Sequence, residues 1–296
     1  MGSGSSGLQV VILAAGKGVR MRSELPKVLH KLCGQSLVER ALRAVCGLKP
    51  GRVVVVVGFK AELVRAEVSR LNATGAFGEA EVLCVDQVEQ HGTGHATQIA
   101  FAQLDPNLPH VMVLPGDAPL VDASMLGDFF DYYNQVQADL SLLSCCPPDA
   151  ASFGRVVRSN ANEVVAIVER KDCSSEQVKI SEINSSIYLG NYNFLSQALP
   201  MLKNDNAQGE YYLTDIVGFG SGLGKKVTAF CSDRWQNLVG ANSRAELSAL
   251  EKIRRREICL AWMDVGVTFE DPDSVYIDEL VELNGDTFIG AGTRLR

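Results

Sequence analysis

The chain has 296 residues, 46% of them hydrophobic and 21% charged, which excludes disordered and fibrous classes and is enough for one large α/β domain with an appendage. Its formal charge of −7 argues against non-specific nucleic-acid binding, yet leaves room for a small anion held by a few local cations. No stretch approaches the roughly 20 apolar residues of a membrane-spanning helix, so neither nucleic acid nor membrane is an expected partner.

Met1 to Gly7 has the Gly/Ser composition of an expression linker and is set aside. Leu8–Leu13 reads as the first strand. A glycine-rich turn follows, then an amphipathic stretch at Ser36–Cys46, the valine run Val53–Val57, a helical pattern from Ala61 to Arg70 and a strand at Val82–Val85, which together make βαβαβ. A helix at His95–Leu104, a strand at His110–Leu114, a helix near Ala123–Tyr133 and a strand at Asp139–Ser144 continue the cadence. The Val/Leu runs predict strands buried on both faces, hence a mostly parallel sheet covered by helices on both sides, a Rossmann-like α/β class. Between Ser152 and Gly190 shorter pieces, Arg155–Val157, Val164–Glu169 and Ser185–Leu189, suggest an inserted or appended sheet with a second binding surface. Ser243–Met263 has helical spacing and reads as one long helix leaving the globular part. Beyond it, β pieces about six residues apart mark the first rungs of a parallel β-helix. The expected division is residues 1–7 linker, 8–242 catalytic domain, 243–265 connecting helix and 266–296 rungs.

The eight cysteines, Cys33, Cys46, Cys84, Cys145, Cys146, Cys173, Cys231 and Cys259, form no C-x-x-C pair and have no histidines at metal-ligand spacing. They read as reduced core residues of a cytoplasmic protein.

Three segments at strand ends carry chemistry. Leu13-Ala14-Ala15-Gly16-Lys17-Gly18-Val19-Arg20-Met21 follows the first strand, so its amides sit at the carboxyl edge of the sheet, where open α/β folds bind ligands. Small residues let the backbone approach a triphosphate, and Arg20 and Lys27 supply cations. Met21 stands where a dinucleotide fingerprint needs glycine, and there is no Gly-Lys-Ser/Thr, so both better-known phosphate motifs fail. Gln87-Val88-Glu89-Gln90-His91-Gly92-Thr93-Gly94-His95 opens a helix; Thr93 as a cap and a base-reading role are compatible, and His95, a lone histidine at a helix start, is assigned no role. Val113-Leu114-Pro115-Gly116-Asp117 ends a strand in a carboxylate, and one Asp is enough to begin a Mg²⁺ site completed by phosphate oxygens and water.

The first loop with its Leu25-Pro26-Lys27 resembles the signature of sugar-nucleotide pyrophosphorylases. From about Leu8 to the last residue the chain resembles the bacterial bifunctional N-acetylglucosamine-1-phosphate uridyltransferase/glucosamine-1-phosphate acetyltransferase family. That resemblance implies a Rossmann-like uridyltransferase domain followed by the start of a left-handed β-helix, with UTP and N-acetylglucosamine 1-phosphate as substrates and Mg²⁺ as cofactor. It implies nucleotide contacts at Leu13, Ala14, Ala15, Gly16, Lys27, Gln87, Gly92, Thr93 and Gly116, with Gln87, Gly92 and Thr93 reading uracil. It implies catalytic roles for Arg20, Lys27 and Asp117, and Mg²⁺ ligation by Asp117 and Asn242, although by sequence alone Asn242 reads as a helix cap. Sugar contacts are implied at Gly154, Glu169, Asn184, Tyr212 and Thr214. The chain departs from the family pattern at Val19 for threonine, Phe153 for tyrosine and Ser185-Ser186 for Thr-Gly, which bears on efficiency more than on reaction type. The family trimerises through its β-helix and carries its acetyltransferase site there; with so few rungs, a monomer or weak assembly without acetyl transfer is expected. The alternatives are the same reaction on another sugar 1-phosphate and a nucleotide-binding regulatory module that has lost turnover.

Overall fold

In the computed structural model, residues 7–150 and 152–296 are described; Met1 to Ser6 of the linker-like stretch, and Ala151, lie outside the described residues. In chain order come β1 (Leu8–Leu13), a short hairpin of β2 (Lys31–Leu32) and β3 (Gln35–Ser36), α1 (Leu37–Cys46), β4 (Arg52–Val57), α2 (Ala61–Ala73), β5 (Glu81–Asp86), α3 (Thr93–Phe101), β6 (His110–Pro115), α4 (Ala123–Val136) and β7 (Leu140–Cys145). There follow β8 (Arg155–Arg158), β9 (Val164–Val168), β10 (Ile183–Asn191), α5 (Tyr192–Ala198), α6 (Asp215–Gly222), β11 (Val227–Ser232) and α7 (Arg244–Asp264). Four two-residue strands close the chain: β12 (Thr268–Phe269), β13 (Tyr276–Ile277), β14 (Phe288–Ile289) and β15 (Arg294–Leu295).

The central sheet runs β11-β7-β10-β6-β1-β4-β5, parallel except at β10, which is antiparallel to both of its neighbours. Period-two alternation divides its side chains between two cores. Val10 and Ile12 of β1 and Val53, Val55 and Val57 of β4 enter one core with α1, α2 and α4; Val11, Val54 and Val56 enter the other with α3, α5 and α6. All five valines of β4 are fully buried, so the homopolymeric run reflects apolar neighbours on both faces. Helix starts are set by short polar caps: Ser36 accepts from the Glu39 amide at 3.2 Å and Asp122 from the Met125 amide at 2.8 Å.

Two expectations are corrected. The segment after Ser152 is not a separate sheet: β10 is a long strand inside the main one, and the β8–β9 hairpin extends from it. Hydrophobic alternation is the same for parallel and antiparallel strands, so the sequence pattern does not distinguish them. Nor does α7 leave the globular part. It packs across the β2–β3 hairpin and the terminal rungs, and Leu250, Ile258 and Cys259 join Leu32, Leu37, Phe269 and Ile277 in a third core. The cysteines also differ from a uniform core set: Cys33, Cys145 and Cys259 are buried, whereas Cys146 and Cys231 are exposed with their Sγ atoms 3.9 Å apart.

Glu279 fastens the rungs to the rest. It accepts from Arg40 Nη1 at 2.8 Å and Arg254 Nε at 2.9 Å, while its backbone N–H donates to the Cys33 carbonyl at 2.9 Å. Burial alone would raise the Glu279 carboxyl, but the hydrogen bonds and charges of Arg254 and Arg40 outweigh it and hold the group down at about 2, against an ordinary 4.5. A folded-state value below the unfolded one stabilises the fold above about pH 4.5, and this contribution fades as pH falls from 4.5 towards 2. Glu279→Gln should therefore lower the free energy of unfolding by about 2 kcal/mol at pH 7 in urea titrations, with the gap to wild type narrowing across that acidic window. Equal stability at pH 7 would remove Glu279 as the fastener.

Candidate functional site

The carboxyl ends of β1, β4, β5 and β6 lie side by side and open into a cleft of about 410 Å³. The chain after β1 forms one edge: Leu13, Ala14, Ala15 and Gly16 line it, and Phe59 and Gln90 both donate to the Ala15 carbonyl, at 3.1 and 2.9 Å. Gln90, unremarked in the sequence beyond its motif, thus ties the loop that precedes α3 to the loop that follows β1. Gly116 donates to the Leu13 carbonyl at 2.9 Å, locking the end of β6 to β1 just behind the wall.

At the floor, Lys27 Nζ makes an ion pair with Asp117 Oδ2 and donates to Asn242 Oδ1 at 3.0 Å. Lys27 and Asp117 are largely shielded, their side chains 15% and 16% exposed. Asp117 is further held because its carbonyl accepts from the Ala241 amide at 2.9 Å, which draws the Gly240–Asn242 turn under the cleft. Asn242 is not the cap of α7. Ser243 caps it, accepting from the Glu246 amide, and the Glu246 carboxylate accepts from the Asn242 amide at 2.8 Å, leaving the Asn242 side chain for the cleft. The two oxygens that meet on the Lys27 ammonium are a carboxylate and an amide carbonyl, hard donors already gathered around a cation. They fit Mg²⁺, which takes one or two protein oxygens and draws the rest from phosphate and water. Among the described residues there is no cluster of three or more His, Cys, Asp or Glu that would suit a transition metal.

Arg20 lies elsewhere. It sits in the single 3-10 turn Val19–Met21, exposed, without a hydrogen-bond or ion-pair partner among the described residues and outside the cleft lining.

Gln87, Gly92 and Thr93, the candidates for reading a base, all line the cleft. Gly92 is the residue that precedes α3, with φ +102°, and a Cβ there would stand 2.8 Å from the Tyr211 carbonyl, so only glycine fits. Thr93 does not cap the helix; its Oγ1 accepts from the Leu213 amide at 3.2 Å, joining the 210–214 segment to the start of α3.

The sugar-side candidates form a second group beside the cleft. Phe153, Ser185, Ser186 and Glu210 line it, whereas Gly154, Glu169, Asn184, Tyr212 and Thr214 are not in its lining. A Cβ on Gly154 would lie 3.4 Å from Glu169 Oε1, so the glycine leaves that carboxyl room. Burial, then Asp172, Asp215 and Glu210, push the Glu169 carboxyl above its ordinary range. Tyr212 Oη donates to Asp172 at 3.3 Å and accepts from Gln208 at 2.8 Å, and the buried Thr214 hydroxyl has no partner among the described residues. Asn184 is engaged within its own strand, donating to Tyr188 Oη at 2.6 Å and accepting from the Ser186 amide at 3.0 Å across a bulge.

The MobA-like NTP transferase domain model matches residues 10–171. The bifunctional protein GlmU of Synechococcus sp. (strain JA-2-3B'a(2-13)) is 43% identical over 98% of this chain and 44% of its own length. GlmU of Caldanaerobacter subterraneus subsp. tengcongensis is 41% identical over 97% of this chain and 60% of its own length. The chain thus spans about half the length of the curated relatives it matches. Among solved structures, a UDP-glucose pyrophosphorylase complexed with UDP-glucose superposes with a TM-score of 0.66 at 14% identity, covering 84% of this chain and 98% of that one. The inositol-1-phosphate CTP transferase from T. maritima gives 0.60 at 16%, covering 82% and 96%. These two likenesses establish the fold.

Ser186 occupies the bulge of β10 with φ +63°, a conformation that favours glycine. A left-handed serine is strained by about 1 kcal/mol, partly offset by the lower chain entropy it has over glycine when unfolded. Ser186→Gly should stabilise the protein by about 0.5 kcal/mol in urea titrations. A loss of stability would show that the Ser186 side chain holds the bulge.

Proposed function

The chain belongs to the MobA-like NTP transferase family of nucleotidyltransferases, and from that premise we propose that it transfers a uridylyl group from UTP to N-acetyl-α-D-glucosamine 1-phosphate, with Mg²⁺, releasing pyrophosphate. The observation that carries the reading is the meeting of Lys27, Asp117 and Asn242 on the floor of a cleft whose edge is the small-residue loop after β1. Likeness to GlmU proteins over nearly the whole chain supports the choice of sugar and base.

A phosphate oxygen of the sugar phosphate attacks the α-phosphorus of UTP, forming the new P–O bond as the α–β anhydride bond breaks and pyrophosphate departs. No enzyme nucleophile is required. The chain's work is to bring two anions together and to stabilise the charge that develops on the triphosphate. Leu13 to Gly16 admit the phosphates close to the backbone, and Lys27, ion-paired with Asp117, offers its ammonium to the phosphate chain. Asp117 and Asn242 would hold Mg²⁺, which supplies charge neutralisation between the two phosphate groups. Arg20, exposed in its 3-10 turn, reaches the triphosphate only if that turn moves inward. On the sugar side Phe153, Ser185, Ser186 and Glu210 line the cleft, and Gly154, Glu169, Asn184, Tyr212 and Thr214, which are not in its lining, are proposed to meet the sugar once it is bound, their carboxylate, amide and hydroxyl groups suiting a sugar's hydroxyls and acetamide.

The test is pyrophosphate release from UTP and Mg²⁺ with N-acetylglucosamine 1-phosphate, glucosamine 1-phosphate and glucose 1-phosphate in turn. Release restricted to the N-acetylated sugar is expected. Preference for glucose 1-phosphate keeps the reaction but overturns the sugar, and silence with all three leaves a binding module. Asp117→Ala should lower kcat at least a hundredfold at saturating Mg²⁺; near-normal turnover would contradict its role.

A further inference from the structure

The fold alone does not choose the base, since structures named for uridine and for cytidine nucleotides share it. The choice lies in one buried amide. Gln87 is 4% exposed, and its Nε2 lies 3.0 Å from the Gly92 carbonyl oxygen and 3.3 Å from His95 Nδ1. A carbonyl oxygen only accepts, so the NH₂ end of the amide must face it. The second N–H of that group then points at His95 Nδ1, which has to accept, leaving the ring hydrogen on Nε2. Gln87 Oε1 is the end left over. It has no partner among the described residues, and Gln87 lines the cleft.

We propose that His95 is a positioning residue that fixes the Gln87 amide with its oxygen towards the cleft, so that the site accepts uracil and rejects cytosine. The inference rests on the uridylyl-transfer reading for its ligand. Uracil carries a hydrogen on N3 and gives it to Oε1. Cytosine presents a lone pair at N3, and two acceptors then face each other. Cytosine would be accommodated if the amide turned over, but the turned amide sets Oε1 against the Gly92 carbonyl and, while the ring hydrogen stays on Nε2, against His95 Nδ1. Gly92 opposes the turn with one lost hydrogen bond in a buried position, where an unpaired group is most unfavourable, and His95 adds to it, because its ring hydrogen must move from Nε2 to Nδ1 before the pair can bond again. The imidazole is held for this by its place in the first turn of α3, with its ring 5.2 Å from that of His91 and 6.3 Å from that of Tyr211.

Affinity, not turnover, reads this out: titration calorimetry of UTP and CTP on wild type, His95→Leu and His95→Asn, with thermal denaturation as the control for folding. Wild type should prefer UTP. His95→Leu removes the acceptor and should shrink the UTP-to-CTP affinity ratio about tenfold, whereas His95→Asn, whose Oδ1 stands close to where Nδ1 stood, should restore most of it. Equal weakening of both nucleotides by His95→Leu, or no rescue by His95→Asn, overturns the positioning role. Pyrophosphate release by wild type is scored separately. A chain that distinguishes UTP from CTP in binding yet transfers to no sugar phosphate would end the transferase reading and keep this one, and one that binds neither nucleotide would end both.

Discussion

Lys27 gathers stretches of chain that lie 90 and 215 residues away from it. Its ammonium stands where the Asp117 carboxylate and the Asn242 carbonyl converge, and a carboxylate so largely withdrawn from water must have such a partner. This one neutralisation determines where the first loop, the end of β6 and the turn before α7 come to rest. In the proposed function the same groups are shared out, the ammonium to the phosphates and the two oxygens to the divalent cation.

The rest of the fold serves that junction. Parallel pairing of β1 with β4 and β6 puts three strand ends on one edge, and the fully buried valines of β4 make the edge rigid. Asn242 is positioned from the other side. Ser243 starts α7 one residue later, and α7 is anchored along its length by the third core and by Arg254 on Glu279. Packing of the terminal rungs is therefore connected, through one helix, to the residue that completes the floor of the cleft.

Much of this was legible in the sequence, and the exceptions have physical causes. The first strand, its small-residue loop and the valine run are local signals, and their strands differ from expectation by a residue or so. β10 was read as part of a smaller sheet because its polar Ser185-Ser186 bulge interrupts the alternation that marks a central strand. α6, Asp215-Ile216-Val217-Gly218-Phe219-Gly220-Ser221-Gly222, went unrecognised because its three glycines disfavour a helix that only tertiary packing sustains. Asn242 and Ser243 are both good caps, and sequence offers no means to choose between neighbours. His95 and Gln90 depend on what the fold brings opposite them, the Gln87 side-chain amide and the Ala15 carbonyl, and no spacing rule announces either. Cys231 lies in β11 and Cys146 just past the end of β7, and composition alone does not say which face a strand residue takes or where a strand stops.

The central claim is that Lys27, Asp117 and Asn242 form a cation site shared with a nucleotide, and it is tested most directly by Mn²⁺ as a paramagnetic substitute for Mg²⁺. Mn²⁺ binding would be followed by electron paramagnetic resonance with and without UTP, in wild type and in Asp117→Asn and Asn242→Ala. One Mn²⁺ per chain, bound tightly only when UTP is present and weakened at least tenfold in both variants, is the predicted result. Equal Mn²⁺ affinity in all three proteins would reduce the trio to a structural ion pair and contradict the account.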